Sequence, residues 1–471
     1  MRKMLTKLRE WDRTEEYRRL LKVVRNLFVE PPPRSRELVF RRYCYAYPEI
    51  RFIFEVDGKE YTSRAFVDEF TKEQIAAVDP RLWVRVITAV GMAMAPFHFL
   101  LADFASVRLE FAYLTNEAKT FYQDYFRAGL AELRYRQGLN PNREIRVFSS
   151  SDQAGVAPVS LDTDDKILML NGGGKDTAVM AELLRETGQS LAWASINLSP
   201  RQTGVANVSG IRESYNVRFE IDPAIRQDAR YPWGHVPFTA LFMCLGLIPA
   251  IIGRFRYVTT GNEYSANFGN MFFRCIEINH QYSKSHAYET AFNEYLENNV
   301  VRGVKFFSAL RPFYEIRIAA MLSQLPQYLD SFVSCNKGSH WCNDCPKCAF
   351  IFLALAPFIE LERLVSVFGE NLIEKRSIRL YLLDLLSGRV KPWECVGTQG
   401  ECQLAMKLTL AKFPDMDFDE FPYRADLTVA CGDADVAEFH RKYLLEMNSP
   451  DNIPHAIRPS IEQAARRLIP A

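Results

Sequence analysis

The chain has 471 residues, carries a formal net charge of +1 and is 48% apolar. That length predicts two or three domains with ample apolar surface for a large core. The near-neutral charge argues against a general nucleic-acid or membrane-surface binder, and ten cysteines, six of them scattered, fit a reducing cytoplasm better than a disulfide framework.

Residues 1 to about 30 predict an amphipathic helix, charged throughout and so unlike a signal peptide, stopped by Pro31-Pro32-Pro33. Two aromatic and β-branched runs follow, Glu37 to Tyr45 and Ile50 to Val56. The second meets Asp57-Gly58, a hairpin turn signal, before Lys59-Glu60-Tyr61-Thr62. Helical patterns dominate from Lys72 to about Arg136. Within them Trp83 to Ala102 is almost uncharged and reads as core, and the aromatics of Phe121 to Gly138 read as packing. Asn140 to Asp165, rich in Ser, Asp, Pro and Asn, reads as a linker.

Lys166 to Thr177 reads KILMLNGGGKDT. The apolar run Ile167 to Leu170 predicts a buried strand, the three glycines a backbone that approaches an anion, and Lys175 onward a helix. The first N–H groups of that helix lack intrahelical partners, so the stretch predicts phosphate binding. It matches neither G-x-x-x-x-G-K-[ST] nor G-x-G-x-x-G. Gly172-Gly173-Gly174-Lys175-Asp176-Thr177 instead resembles the S-G-G-x-D-S loop of the PP-loop ATP pyrophosphatases, which cleave ATP between its α- and β-phosphates and adenylate a substrate oxygen. Gly172 stands where that loop has its first serine, and Thr177 keeps the last hydroxyl. Asp176 suits an oxygen-bound Mg²⁺ and Lys175 a phosphate.

Further on, the pattern predicts a helix to about Thr187, a strand at Leu191 to Asn197, a polar loop and a strand at Arg218 to Asp222. A buried helix from Pro237 to Phe255 and a strand at Tyr257 to Thr260 follow. Strands alternating with helices imply a parallel sheet whose ligands sit at the strands' carboxyl ends. The glycine loop and Gly261-Asn262-Glu263 both occupy such ends, which makes Glu263 a candidate for ATP, metal or substrate. Asn270 to Ser285, with Arg274, Cys275, Glu277, His280 and Lys284, and His286 just beyond, has the composition of a substrate loop. Cys335, Cys342, Cys345 and Cys348, in SCNKGSHWCNDCPKC, form C-x₆-C-x₂-C-x₂-C. This set suits a closed structural Zn²⁺ site, with His340 as a competing ligand, an Fe–S cluster and four plain thiols as the other readings. Ala349 to Phe368 is apolar and helical. The remainder, with Trp393 and the Gly397 to Gly400 turn region, mixes short helices and carries no chemistry the pattern can name.

The cluster downstream of the loop resembles that of the cyano-deazaguanine synthases, which are about half this length and begin almost at the glycine loop. NGGGKDT, WCNDCPKCAFIFLALAPF from Trp341 and the upstream YFRAGLAELRYRQG together are more similar to the UDP-N-acetylmuramoyl-L-alanyl-L-glutamate epimerase family (MurL). The resemblance implies an α/β fold. An α+β amino-terminal domain covers 1–160, a Rossmann-like PP-loop domain with the cysteine cluster 161–360, and a mainly helical region 361–471. It implies a cytoplasmic enzyme of peptidoglycan synthesis with ATP, Mg²⁺ and a structural Zn²⁺, acting on a UDP-MurNAc dipeptide, with no nucleic-acid or membrane partner. Its terminal L-Glu would be inverted to D-Glu through an acyl-adenylate, with release of AMP and pyrophosphate. Gly172, Gly173, Gly174, Lys175, Asp176, Thr177 and Glu263 would hold ATP and its metal. Cys275, His280 and Lys284 are the acid/base candidates. Another PP-loop carboxylate-adenylating enzyme, such as an amidotransferase, is the alternative, and a tRNA-thiolating enzyme or a nucleotide sensor without turnover lies further off.

Overall fold

Asp57 and Gly58, with φ of 53° and 81°, make the left-handed two-residue turn that the Asp-Gly pair favours. They join β2 (Glu49–Val56) to β3 (Lys59–Phe66) in the computed structural model, after β1 (Glu37–Ala46). The structure describes residues 36–150, 157–231, 235–388, 391–414, 423–433 and 435–470. The amino-terminal helix expected over 1–30 lies outside them.

The other strands are β4 (Ser106–Leu109), β5 (Arg146–Ser149), β6 (Val159–Ser160), β7 (Asp164–Asn171), β8 (Ser190–Ile196), β9 (Ser214–Glu220) and β10 (Phe255–Thr260). They continue with β11 (Met271–Phe273), β12 (Ile276–Ile278), β13 (Val301–Arg302) and β14 (Lys305–Ser308). Ten of them build one sheet in the order β14-β10-β7-β8-β9-β3-β2-β1-β4-β5. The first five are mutually parallel. Renumbered along the chain they read 5-4-1-2-3, so the order reverses between β7 and β10. That reversal is the switch point at which doubly wound sheets open a crevice. The α/β class expected from the sequence is the one observed.

Antiparallel pairing of Arg64, Ala65 and Phe66 with Glu220, Phe219 and Arg218 extends the parallel sheet into the amino-terminal strands. The sheet is therefore continuous across residue 160. Arg146–Ser149, read as part of a linker, is its edge strand. Val147 buries there while Arg146 faces out, a two-residue alternation too short to stand out among polar neighbours. The polar loop expected after Asn197 contains a helix, Pro200–Ser209. A Ser199–Gln202 capping box and Pro200 at its first position start it.

Two apolar cores flank the sheet. β7 shows the division: Leu168 and Leu170 face one, Ile167 and Met169 the other. A strand buried on both faces must be apolar at every position, which accounts for the unbroken Ile167–Leu170 run. The helix and following 3₁₀ turn of Pro80–Leu100 are long and apolar enough to cross a membrane, but 83% of the apolar window is buried inside the fold. The carboxy-terminal region is helical, with Gln399–Lys412 packed on Pro346–Leu355 and Arg379–Ser387.

Candidate active site at the switch point

β7 ends in Asn171 and opens into the three glycines and the helix Lys175–Arg185, whose N-cap is Gly174. Asn171 Oδ1 accepts from Gly173 N at 2.9 Å, and Thr177 Oγ1 accepts from Gly172 N at 3.1 Å. Gly173 has a φ of +70°, and a Cβ there would lie 2.8 Å from Gln202 N, so only glycine fits. Behind the loop, Val333 N donates to Gly173 O at 3.1 Å and Lys175 N donates to Ser334 Oγ at 3.2 Å. The segment leading into Cys335 thus braces the glycine loop.

Charged side chains converge beside it. Lys175 is fully buried and ion-pairs with Asp176 and Glu315. Burial opposes its ammonium charge, but Asp176, Glu315 and Glu263 outweigh burial and hold the pKa above the usual lysine value. Lys347 Nζ lies 3.5 Å from Glu315 Oε1 and donates to Cys395 O. Glu315 is held well below the usual carboxylate range, to about 2: burial opposes this and the Lys175 and Lys347 charges prevail.

Glu263 is different. It is 1% exposed, and among the described residues neither carboxylate oxygen has a hydrogen-bond partner. Burial, with the Glu315 and Asp176 charges added, raises its pKa despite Lys284 and Lys175. A buried carboxylate with both oxygens free is costly unless something else binds it. Its position is fixed from behind by Arg311, fully buried, which donates to Glu263 O at 2.8 Å, to Lys284 O at 2.6 Å and to Glu289 Oε2 at 3.1 Å.

The expected substrate loop divides in two. Arg274 and Cys275 form the left-handed tip of the β11–β12 hairpin, with Cys275 exposed, and the exposed Glu277 accepts from Gly269 N. His286 starts the helix His286–Tyr295 and bonds Thr290. His280 and Lys284 turn inward. His280 Nδ1 pairs with the buried Glu132, and its ring lies 4.2 Å from that of His235. Burial lowers its pKa, but hydrogen bonds to Cys395 and Glu132 dominate and raise it to about 9. Burial likewise opposes charge on Lys284, and Cys395, Glu263, Asp176 and Glu315 raise its pKa above the lysine value. Cys395 is depressed to about 7: burial pushes the thiol up, and Lys284 and His280 overcome it.

The thiols of Cys335, Cys342, Cys345 and Cys348 lie within 4.8 Å of one another, and Cys342 and Cys348 are 3.8 Å apart. Tetrahedral Zn–S bonds of about 2.3 Å place sulfurs about 3.8 Å apart, so the donor set fits zinc. His340 is not among the converging ligands. Cys345 also N-caps the helix Pro346–Leu355, which carries Lys347 into the site.

Glu315, Lys347, Glu132 and Cys395 were not found from sequence. Lys347 had a signal, a lone cation opening an apolar helix, as did Glu132 among aromatics. Cys395 had none.

The MurL N-terminal domain model matches residues 34–309 and the MurL C-terminal domain model residues 330–420. A protein of Xanthomonas oryzae pv. oryzae named UDP-N-acetyl-alpha-D-muramoyl-L-alanyl-L-glutamate epimerase is 33% identical over 349 residues, covering 69% of this chain and 76% of the relative. Proteins of the same name from a Micromonospora species and Salinispora tropica are each 34% identical, covering 59% of this chain and 65% and 63% of their own lengths. No solved structure matches. The chain belongs to the MurL family.

Proposed function

We propose that the protein is an ATP-dependent epimerase that converts the terminal L-Glu of UDP-MurNAc-L-Ala-L-Glu to D-Glu in peptidoglycan precursor synthesis in the cytoplasm. The printed names of its relatives support the substrate and the inversion. The observation that carries the ATP reading is the unpartnered, buried Glu263 carboxylate at the end of β10, facing the glycine loop at the end of β7 across the switch point.

The residues fit the nucleotide and its metal. Gly172, Gly173, Gly174 and Thr177 shape the phosphate cradle, and Lys175 supplies a cation. Asp176 and Glu263 offer oxygens to Mg²⁺, which would also satisfy Glu263. ATP enters as co-substrate and supplies adenylyl transfer. The substrate's α-carboxylate oxygen bonds to the α-phosphorus and pyrophosphate leaves. A free carboxylate resists loss of the neighbouring α-proton, because the carbanion would sit beside a negative charge. The acyl-adenylate removes that charge and provides an electron sink. The proton leaves from one face and another is added to the opposite face. Water then hydrolyses the adenylate to AMP and free D-glutamyl product.

Incubation with α-labelled ATP, Mg²⁺ and the dipeptide precursor tests the adenylation. AMP that forms only with the peptide is expected. ADP, or AMP independent of the peptide, would overturn it.

A further inference from the structure

A second group of metal-type ligands shares no residue with the glycine loop or the four cysteines. One donor atom each of Glu132, His235 and His280 lies within 4.8 Å of the other two; Glu132 and His280 are buried and His235 half-buried. They come from three segments, and each segment is fixed by its own contacts. Glu132 stands in the first turn of the helix Ala131–Gln137, and Arg136, one turn on, donates to its Oε1 at 3.0 Å. The other oxygen, Oε2, pairs with His280 Nδ1. His280 N donates to Asn270 Oδ1 at 2.8 Å, and Asn270 Nδ2 donates in turn to Pro392 O at 2.7 Å. His235 leads into the helix Phe238–Ile252, which Pro237 caps. Pro237 packs on Gly129, where a Cβ would lie 3.1 Å from the proline Cγ. The bare glycine thus lets the His235 segment approach the helix that carries Glu132. The rings of His235 and His280 meet with centroids 4.2 Å apart and planes at 41°.

Glu132 and His280 already satisfy each other as an ion pair. A second imidazole pressed on that pair gives up water and relieves neither partner. One divalent ion shared among the three would employ a donor from each. Two imidazoles and a carboxylate suit zinc-class ions, whereas magnesium prefers an all-oxygen shell. Bonds of about 2.0–2.2 Å set such donors about 3–3.5 Å apart, which an inward shift of about 1 Å reaches.

We infer that Glu132, His235 and His280 bind one zinc-class divalent ion, separate from the cysteine cluster and open at one position to water or an anionic oxygen. Three protein ligands with a vacant fourth position distinguish this site from the closed set of four thiols. The ion takes the place of the proton shared between His280 and Glu132, and that proton leaves to solvent.

The test loads untagged, full-length protein with Zn²⁺ and dialyses it against zinc-free buffer. Metal is counted by elemental analysis, and its ligands are read by X-ray absorption at the zinc edge. Wild type is expected to keep one ion beyond any held by the cysteines, with nitrogen and oxygen at about 2.0–2.1 Å beside sulfur at about 2.3 Å. H235N and E132Q are each expected to bind that ion at least about 100-fold more weakly, the upper end of what loss of a mere outer-shell partner brings. Dialysis then removes it and leaves a sulfur-dominated shell. A wild-type shell of sulfur alone, or a nitrogen and oxygen shell that persists in both variants, overturns the inference. If circular dichroism shows both variants unfolded, the wild-type shell decides by itself. Sulfur at about three-fifths of the zinc ligands or less supports the site, and a larger share, as four thiols or three thiols with His340 would give, overturns it.

Discussion

Replacing Glu263 by Gln in the ligand-free protein is expected to raise stability while removing nucleotide response. Its carboxylate is buried with neither oxygen bonded, and leaving such a group unsatisfied costs about 1–3 kcal/mol, more for a charge. Lys284 and Lys175 favour the charge, but the pKa is still raised, so burial, Glu315 and Asp176 prevail and the ionised form is the costly one. The sign for pH follows. A carboxyl with a raised folded pKa contributes stability below the unfolded value and loses it as pH rises through the folded value. The gain from Glu263→Gln is therefore larger at pH 8 than at pH 4.5. An unfolding entropy of about 2.1 cal/mol/K per residue over 471 residues is about 1 kcal/mol/K, which makes the gain roughly 1–3 °C in Tm. Saturating MgATP at about 100 times Kd adds about 2.7 kcal/mol to wild type, or about 3 °C, and little to the variant. Scanning calorimetry with and without MgATP measures both. A variant less stable than wild type when ligand-free, with an undiminished MgATP shift, would refute the reasoning.

Lys175→Met strips the cation from the buried Glu315 and the part-exposed Asp176 and should cost about 3–5 kcal/mol in urea unfolding; a loss under 1 kcal/mol would show the cluster is not paired as described. His280 and Cys395 act oppositely on pH. His280, raised to about 9, contributes stability below pH 6.5 that is lost as pH rises through 9. Cys395, depressed to about 7 from 9, contributes stability above pH 9 that is lost as pH falls through 7. The two slopes offset each other in wild type, so H280N should gain stability from pH 7 to 9 and C395S should lose it; the same slope in both variants would contradict the pairing. The cysteine cluster should hold about one zinc per chain by elemental analysis. Stripping it with a chelator should lower Tm and weaken MgATP binding, because the segment ahead of Cys335 braces Gly173 and Lys175. Metal-free protein with unchanged Tm would exclude a structural role.

The parts of the site that local pattern encodes were legible before the fold. Ile167–Leu170 is apolar throughout because both faces of β7 are covered, and the three glycines marked the turn that ends it, where Gly173 takes a φ of +70°. The cysteine spacing announced a ligand set, and the strand end at Thr260 placed Glu263 near the loop. What stayed hidden is set by topology. Glu315 follows β14, a four-residue strand whose Lys-Phe-Phe-Ser shows no alternation, and only the parallel pairing of β14 with β10 carries it to Lys175. Glu132 lies in a helix whose aromatics read as packing, and nothing along the chain links it to His280. Cys395 sits in irregular backbone, where periodicity has no hold. Its surroundings come from two other segments, one holding His280 and Lys284 and one holding Lys347.

The most direct measurement is the chirality of the glutamyl residue after UDP-MurNAc-L-Ala-L-Glu is incubated with the protein, ATP and Mg²⁺, with nucleotide products resolved from the same reaction. D-glutamate appearing with AMP and pyrophosphate, and only when ATP is present, is the predicted result. L-glutamate recovered unchanged, or D-glutamate formed without ATP, would contradict the account.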